Sequence, residues 1–153
     1  MSSKALCGWV RAATIGVSAC FLVLMGYVVP VLLDSEHSPG YTPWLIFLWV
    51  CALPCFAVFA CVWKVSGEIK REKVFTLRTA RWVHTAAILL FADVGLFFIG
   101  NLVFIIIGLS RPGILMCSLL IDIFGVSLAL AAATLSRYLT KAAVLQEESE
   151  GTI

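Results

Sequence analysis

The chain has 153 residues, is 61% hydrophobic and only 13% charged, with a mean hydropathy of +1.03 and a formal net charge of +2 at pH 7. Soluble domains carry about 25% charged residues, so this composition excludes an ordinary water-soluble fold and points to an integral membrane protein. The basic excess sits at the edges of apolar runs, where it orients helices, and gives no reason to expect direct binding of nucleic acid.

Lys4 and Arg11 precede an apolar run over 12–33. At ~1.5 Å per residue it spans ~33 Å, enough for the ~30 Å hydrocarbon core. The run exceeds a signal-peptide core, and Val17-Ser18-Ala19-Cys20, which resembles a lipoprotein cleavage box, reads as helix interior. Gly8, Ala12, Gly16 and Cys20 recur at intervals of four on this first span, a spacing that favours close helix packing. The linker 34–43 has no Lys or Arg and is rich in turn formers, so it reads as an outer loop, with His37 a solvated loop residue. The second span, 44–63, is bracketed by Trp44 and Trp63, residues that prefer the headgroup level, and Pro54 near its middle predicts a kink.

The segment 64–82 is the long polar break of the chain, carrying Lys64, Lys70, Arg71, Lys73, Arg78 and Arg81 against Glu68 and Glu72. It reads as a cytoplasmic loop, with Thr76 as the N-cap of a basic extension leading into the third span, 83–109. Ser110-Arg111-Pro112-Gly113 predicts a tight outer turn, followed by a fourth span, 114–135, and a tail, 136–153. Ten of the eleven Lys and Arg residues fall before the first span, between the second and third, or after the fourth, leaving Arg111 outside. Trp9, Trp63, Trp82 and Tyr138 mark the same end of the four spans in turn. The expected fold is therefore all-α, a single integral membrane bundle of four transmembrane helices in two antiparallel hairpins, with both termini cytoplasmic in the cell membrane. Helix four is expected to run on into water before the acidic tail frays, since Glu147, Glu148 and Glu150 oppose the dipole at its end.

Asp93 and Asp122 are the acidic residues inside the spans, and no Lys or Arg accompanies them there. A carboxylate at the centre of a membrane helix costs ~2.5 to 3.5 kcal/mol on insertion scales, so each requires an explanation. Counting along the third and fourth spans places the two at nearly the same depth, each on a face of small residues. Ala86 and Gly100 share the first face; Ser118, Gly125, Ala129 and Ala133 share the second. The pair is thus expected inside the bundle. One reading has at least one carboxyl protonated and bonded to its fellow or to Asn101, Ser118 or Ser127, fastening the third and fourth helices. The other has the pair forming a proton or cation site in a small oligomeric transporter or channel. His84 is nine residues from Asp93 and belongs to the opposite helix face, at the interface.

The six cysteines make no CxxC pair and read as small hydrophobes, including Cys51 and Cys55 one turn apart. No Walker loop, nucleophile elbow, HExxH or paired-Cys metal motif occurs, so neither catalysis nor a cofactor or metal is expected. Phe75-Thr76 after a basic loop, the following Arg78 and Arg81, four apolar spans and the closing Glu147-Glu148-Ser149-Glu150-Gly151-Thr152-Ile153 together resemble a family of small bacterial inner-membrane proteins of unknown function with a Glu-Glu-Asn-Asp-Leu-Thr-Ile type of tail. Leu77-Arg78 and Ser149-Glu150-Gly151 depart from the usual residues of that family. The resemblance implies a multi-pass bacterial membrane protein whose relatives are often encoded beside a small helix-turn-helix regulator. The expected function is accordingly that of a regulatory membrane partner of such a cytoplasmic protein, able to homo-oligomerise. Lys70, Arg71, Lys73, Arg78 and Arg81 are its candidate contacts with a partner or with lipid.

Overall fold

The computed structural model describes residues 3–34, 41–70, 75–110 and 112–151, all helical apart from short turns. Helix α1 (Ser3–Val23) passes through a π turn (Leu24–Val28) into α2 (Val29–Asp34); then come α3 (Tyr41–Lys70), α4 (Leu77–Ile106) and α5 (Pro112–Gly151). Four stretches are long and apolar enough to cross a membrane: Cys7–Val31, Thr42–Ile69, Leu77–Ile106 and Pro112–Ser149. Leu120, Ile123 and Phe124 are among many large apolar side chains left exposed, as a lipid-facing surface requires and a water-facing one does not tolerate.

The π turn arises at Pro30, which cannot donate and whose ring crowds the turn before it. The chain answers with a wider turn in which the Val29 N–H reaches back to the Leu24 carbonyl. The expected polar loop over 64–82 is much shorter in the structure, because α3 continues to Lys70 and α4 begins at Leu77. Thr76 caps α4, its hydroxyl accepting from the Thr79 N–H at 3.3 Å with an extended backbone. The turn expected at 110–113 includes Arg111, which lies outside the described residues. Gly108 takes a φ of +73° after the end of α4, and the Leu109 and Ser110 N–H groups both return to the Phe104 carbonyl. Pro112 opens α5, where its missing N–H is no loss. Arg111 and His37 lie outside the described residues.

Neighbouring helices touch through pairs whose numbers rise along one as they fall along the other. Between α1 and α3 these are Cys7 with Ser66, Arg11 with Trp63, and Phe21 with Phe56 and Phe59. Between α3 and α4, Trp44 stacks on Phe104 at 4.4 Å, Phe47 lies against Phe97 and Phe104, and Cys55 meets Asp93. Between α4 and α5, the Ser136 hydroxyl donates to the Ala80 carbonyl at 3.0 Å, and Val94 fills the space over Gly125. Trp44 is buried against α4, with its indole N–H donating to the Leu109 carbonyl at 3.3 Å. That bond closes a free carbonyl beyond the end of α4.

The small-residue faces of α4 and α5 are the packed ones: Ala86, Ser118 and Ala129 are buried. On α1 the outcome is the reverse. Gly8, Ala12, Gly16 and Cys20 are all exposed, and no atom lies within 4 Å of a Cβ built on Gly8 or Gly16. A Cβ on Gly100 would strike the Phe47 ring, which is held by Phe97, Phe104 and Trp44, and one on Gly125 would strike the Val94 side chain. Gly100→Ala and Gly125→Ala are therefore each expected to destabilise the bundle by about 1 to 3 kcal/mol, the usual effect of overpacking. Gly8→Ala and Gly16→Ala should leave it unchanged. Unfolding midpoints of the four variants in one detergent check the contrast.

Candidate functional site

The polar interior lies along the middle of α4, which packs against α3 on one side and α5 on the other. Cys51 and Cys55 occupy one face of α3 at an interval of four, so both thiols turn toward the neighbouring helices. The Cys55 thiol donates to Asp93 Oδ2 at 3.1 Å, tying α3 to α4. Cys51 is buried and within electrostatic reach of both Asp93 and Asp122. Asp122 is 8% exposed, and neither of its carboxyl oxygens has a hydrogen-bond partner among the described residues; Asp93 Oδ1 has none either.

The hydrogen bonds expected to join Asp93 and Asp122 to Asn101, Ser118 or Ser127 do not form. Asn101 donates to the Phe97 carbonyl, Ser118 to Leu115 and Ser127 to Ile123, each within its own helix. A hydroxyl or amide three or four residues past a carbonyl finds that acceptor at no translational cost, so local bonding outcompetes a bridge across helices. What fastens α4 to its neighbours in polar terms is instead Cys55 to Asp93 and Ser136 to Ala80. Cys55 was therefore more than a small hydrophobe, and so was Cys7, whose buried thiol donates to the Ser66 carbonyl at 3.2 Å and lies 3.3 Å from its hydroxyl. The one-turn interval between Cys51 and Cys55, opposite a carboxylate at matching depth, was the signal available in the sequence.

Chemically the region holds the Cys55–Asp93 pair and, apart from it, the buried Cys51 and Asp122, with three carboxyl oxygens that lack a donor among the described residues. Such oxygens can take a proton or face a cation. Among the described residues no group of three or more His, Cys, Asp or Glu side chains gathers to hold a metal.

A second polar region lies at the end where α3 finishes and α4 begins. The Arg11 guanidinium sits 5.0 Å from the centre of the Trp63 ring, and Arg78 lies 3.9 Å from Glu68. Arg78 is 72% exposed, so that ion pair contributes little. Arg81 and His84 are exposed on α4, as are Arg137 and Lys141 on α5. Arg71 and Lys73 lie outside the described residues, as does the side chain of Lys70. The C-terminal helix is rooted by Leu139 and Ala143, both buried, beyond which Val144, Leu145, Glu147 and Glu148 are exposed. Helix α5 has 40 residues and so is about 60 Å long, twice the hydrocarbon thickness.

A family described as protein of unknown function (DUF2975) matches residues 12–153. No curated protein and no solved structure matches the chain.

Proposed function

The chain belongs to the family described as protein of unknown function (DUF2975), and from that premise we propose a non-enzymatic, multi-pass protein of the bacterial cell membrane. Its four spans form two antiparallel hairpins, with both termini and the basic segment in the cytoplasm. There it serves as the membrane-resident partner of a cytoplasmic protein, of the small helix-turn-helix type that the sequence resemblance implies. The observation that supports this reading is the length of α5, which carries roughly 30 Å of helix past a ~30 Å hydrocarbon core. A loop would present its acids in many directions. A helix seated by Leu139 and Ala143 presents Leu145, Glu147 and Glu148 in a fixed one, at the end of the helices that also carries Arg78 and Arg81.

The test is co-purification of the full-length protein in mild detergent, compared with a form lacking residues 147–153 and a form with Lys70, Arg71 and Lys73 changed to Gln. A cytoplasmic protein should accompany the full-length chain and fall at least about tenfold, or about 1.4 kcal/mol, in one or both altered forms. Failure to recover any such protein, or recovery indifferent to both changes, would remove the regulatory role.

A second reading is carried by a different observation, the buried Asp122 carboxyl with both oxygens unpartnered among the described residues. In it Asp93 and Asp122 form a proton or cation site, and several copies of this small chain assemble to enclose the pathway.

A further inference from the structure

The ends of α4 and α5 nearest the basic segment frame an open groove of about 770 Å³. Its base is set by the Ser136 hydroxyl donating to the Ala80 carbonyl, which holds the two helices together there. Leu77, Ala80 and the ring of Tyr138 give it apolar walls, and Arg81, His84, Arg137 and Lys141 line it with basic groups. The pattern is helical: Leu77, Arg81 and His84 follow one stripe of α4, while Lys141, Arg137 or Tyr138, and Thr134 follow one of α5. Among the described residues no carboxylate lines the groove. Among the described residues none of Arg81, Arg137 and Lys141 makes an ion pair; Glu68 pairs with Arg78, and Glu147 lies six residues, or about 9 Å, beyond Lys141.

One turn further into the span each stripe becomes apolar. Ile88 follows His84 on α4 and Leu130 precedes Thr134 on α5, both more than half exposed. Trp82 and Tyr138, amphipathic rings of the kind that settle at the headgroup level, put the change from basic to apolar at the membrane boundary. We propose that this groove is a binding site for one anionic phospholipid, its phosphate held among Arg81, Arg137 and Lys141 and its acyl chains lying along Ile88 and Leu130. A free phosphate would satisfy the cations and leave the apolar stripes bare. A zwitterionic lipid would satisfy the stripes and bring no net charge to three unpaired cations. An anionic lipid matches both, and three long basic side chains can reach one headgroup from two helices. The proposal rests on the membrane reading of the chain and is independent of any cytoplasmic partner.

Native mass spectrometry of the full-length protein, exchanged from detergent into a mixture of phosphatidylglycerol and phosphatidylcholine with matched acyl chains, tests it. The wild-type chain should retain a single phosphatidylglycerol in clear preference to phosphatidylcholine. Arg137→Gln with Lys141→Gln should reduce that preference by tenfold or more, at about fivefold for each cation removed near the membrane surface. Lys64→Gln, a cation of the same end that does not line the groove, should leave the preference unchanged. The proposal falls if the wild-type chain shows no preference, if the double variant keeps it, or if Lys64→Gln lowers it equally. It falls also if millimolar inorganic phosphate strips the bound lipid, since the occupant is then a free anion. Should the double variant lose its helical circular dichroism, the wild-type comparison and Arg81→Gln alone decide the matter.

Discussion

Fused behind residue 151, a fluorescent protein that matures only in the cytoplasm is expected to be fully bright, and so is one inserted near residue 72. The same reporter in the linker near residue 38 should be dark, and alkaline phosphatase, which needs export, should give the mirror result. The expectation rests on the asymmetry of ten Lys and Arg residues against Arg111 alone, since short loops bearing Lys or Arg stay on the cytoplasmic side. The architecture adds to it. Cys7 with Ser66, Arg11 with Trp63, Arg78 with Glu68 and Ala80 with Ser136 are all pairs at the basic end of the helices, so the four ends are held at one level. A bundle so joined crosses the membrane as a unit, and the signal should be all or none at each site. Bright fluorescence near residue 38 would invert the orientation and remove the cytoplasmic partner proposed above.

The four spans were legible because hydropathy is a property of twenty or so residues together, and no single substitution hides it. Their limits were not, because a helix does not stop where apolar sequence stops. Residues 64–70 are polar yet continue α3, and the helical part of the tail runs to Gly151, since hydrogen bonds already made along the helix favour the next turn. How the chain leaves α4 was not legible for a related reason. Ser110-Arg111-Pro112-Gly113 has the residues of a turn, but a positive φ at Gly108 had already satisfied the Phe104 carbonyl, and Pro112 was then free to start α5.

Counting along the helices gives Asp93 and Asp122 an inward face at one level; the Asp122 side chain is buried and that of Asp93 half-buried. Their partners did not follow. Counting gives the level of a residue on its own helix, whereas the choice between a bond across helices and one back along the same helix depends on distances of a few tenths of an ångström. Asn101, Ser118 and Ser127 took the local bond, leaving the thiol of Cys55 as the donor to Asp93. The stripe of small residues on α1 shows the same limit from the other side. Its spacing is that of a packing face, yet it is exposed, because α1 meets α3 through Cys7, Arg11 and Phe21 instead.

Replacing Asp122 by Leu is expected to make the protein more stable, by about 1 to 3 kcal/mol, where a fastening residue would give a loss of similar size. A buried acid held by two donors would strand those donors when removed, and each stranded group would cost about 1 to 3 kcal/mol. Among the described residues Asp122 has no donor to strand: both oxygens are unpartnered there and the side chain is 8% exposed. Leucine is close in size, and exchanging an unsatisfied polar group for an apolar one in a membrane interior relieves a desolvation penalty without opening a cavity. Asp93 should behave differently, because Asp93→Leu deprives the Cys55 thiol of its acceptor while Asp93→Asn keeps one. Unfolding midpoints in detergent distinguish the cases, and a destabilised Asp122→Leu would return the residue to a structural role. A buried acid that costs stability calls for a role other than fastening, and proton flux into proteoliposomes is the measurement that tests for one. Under the second reading the wild-type chain carries a flux that both Asp122→Leu and Asp122→Asn abolish, since neither side chain can take up and release a proton. A wild-type chain that carries no proton or cation flux, beside an Asp122→Leu variant that is more stable, would discard transport and leave the carboxyl to serve contact with another membrane helix.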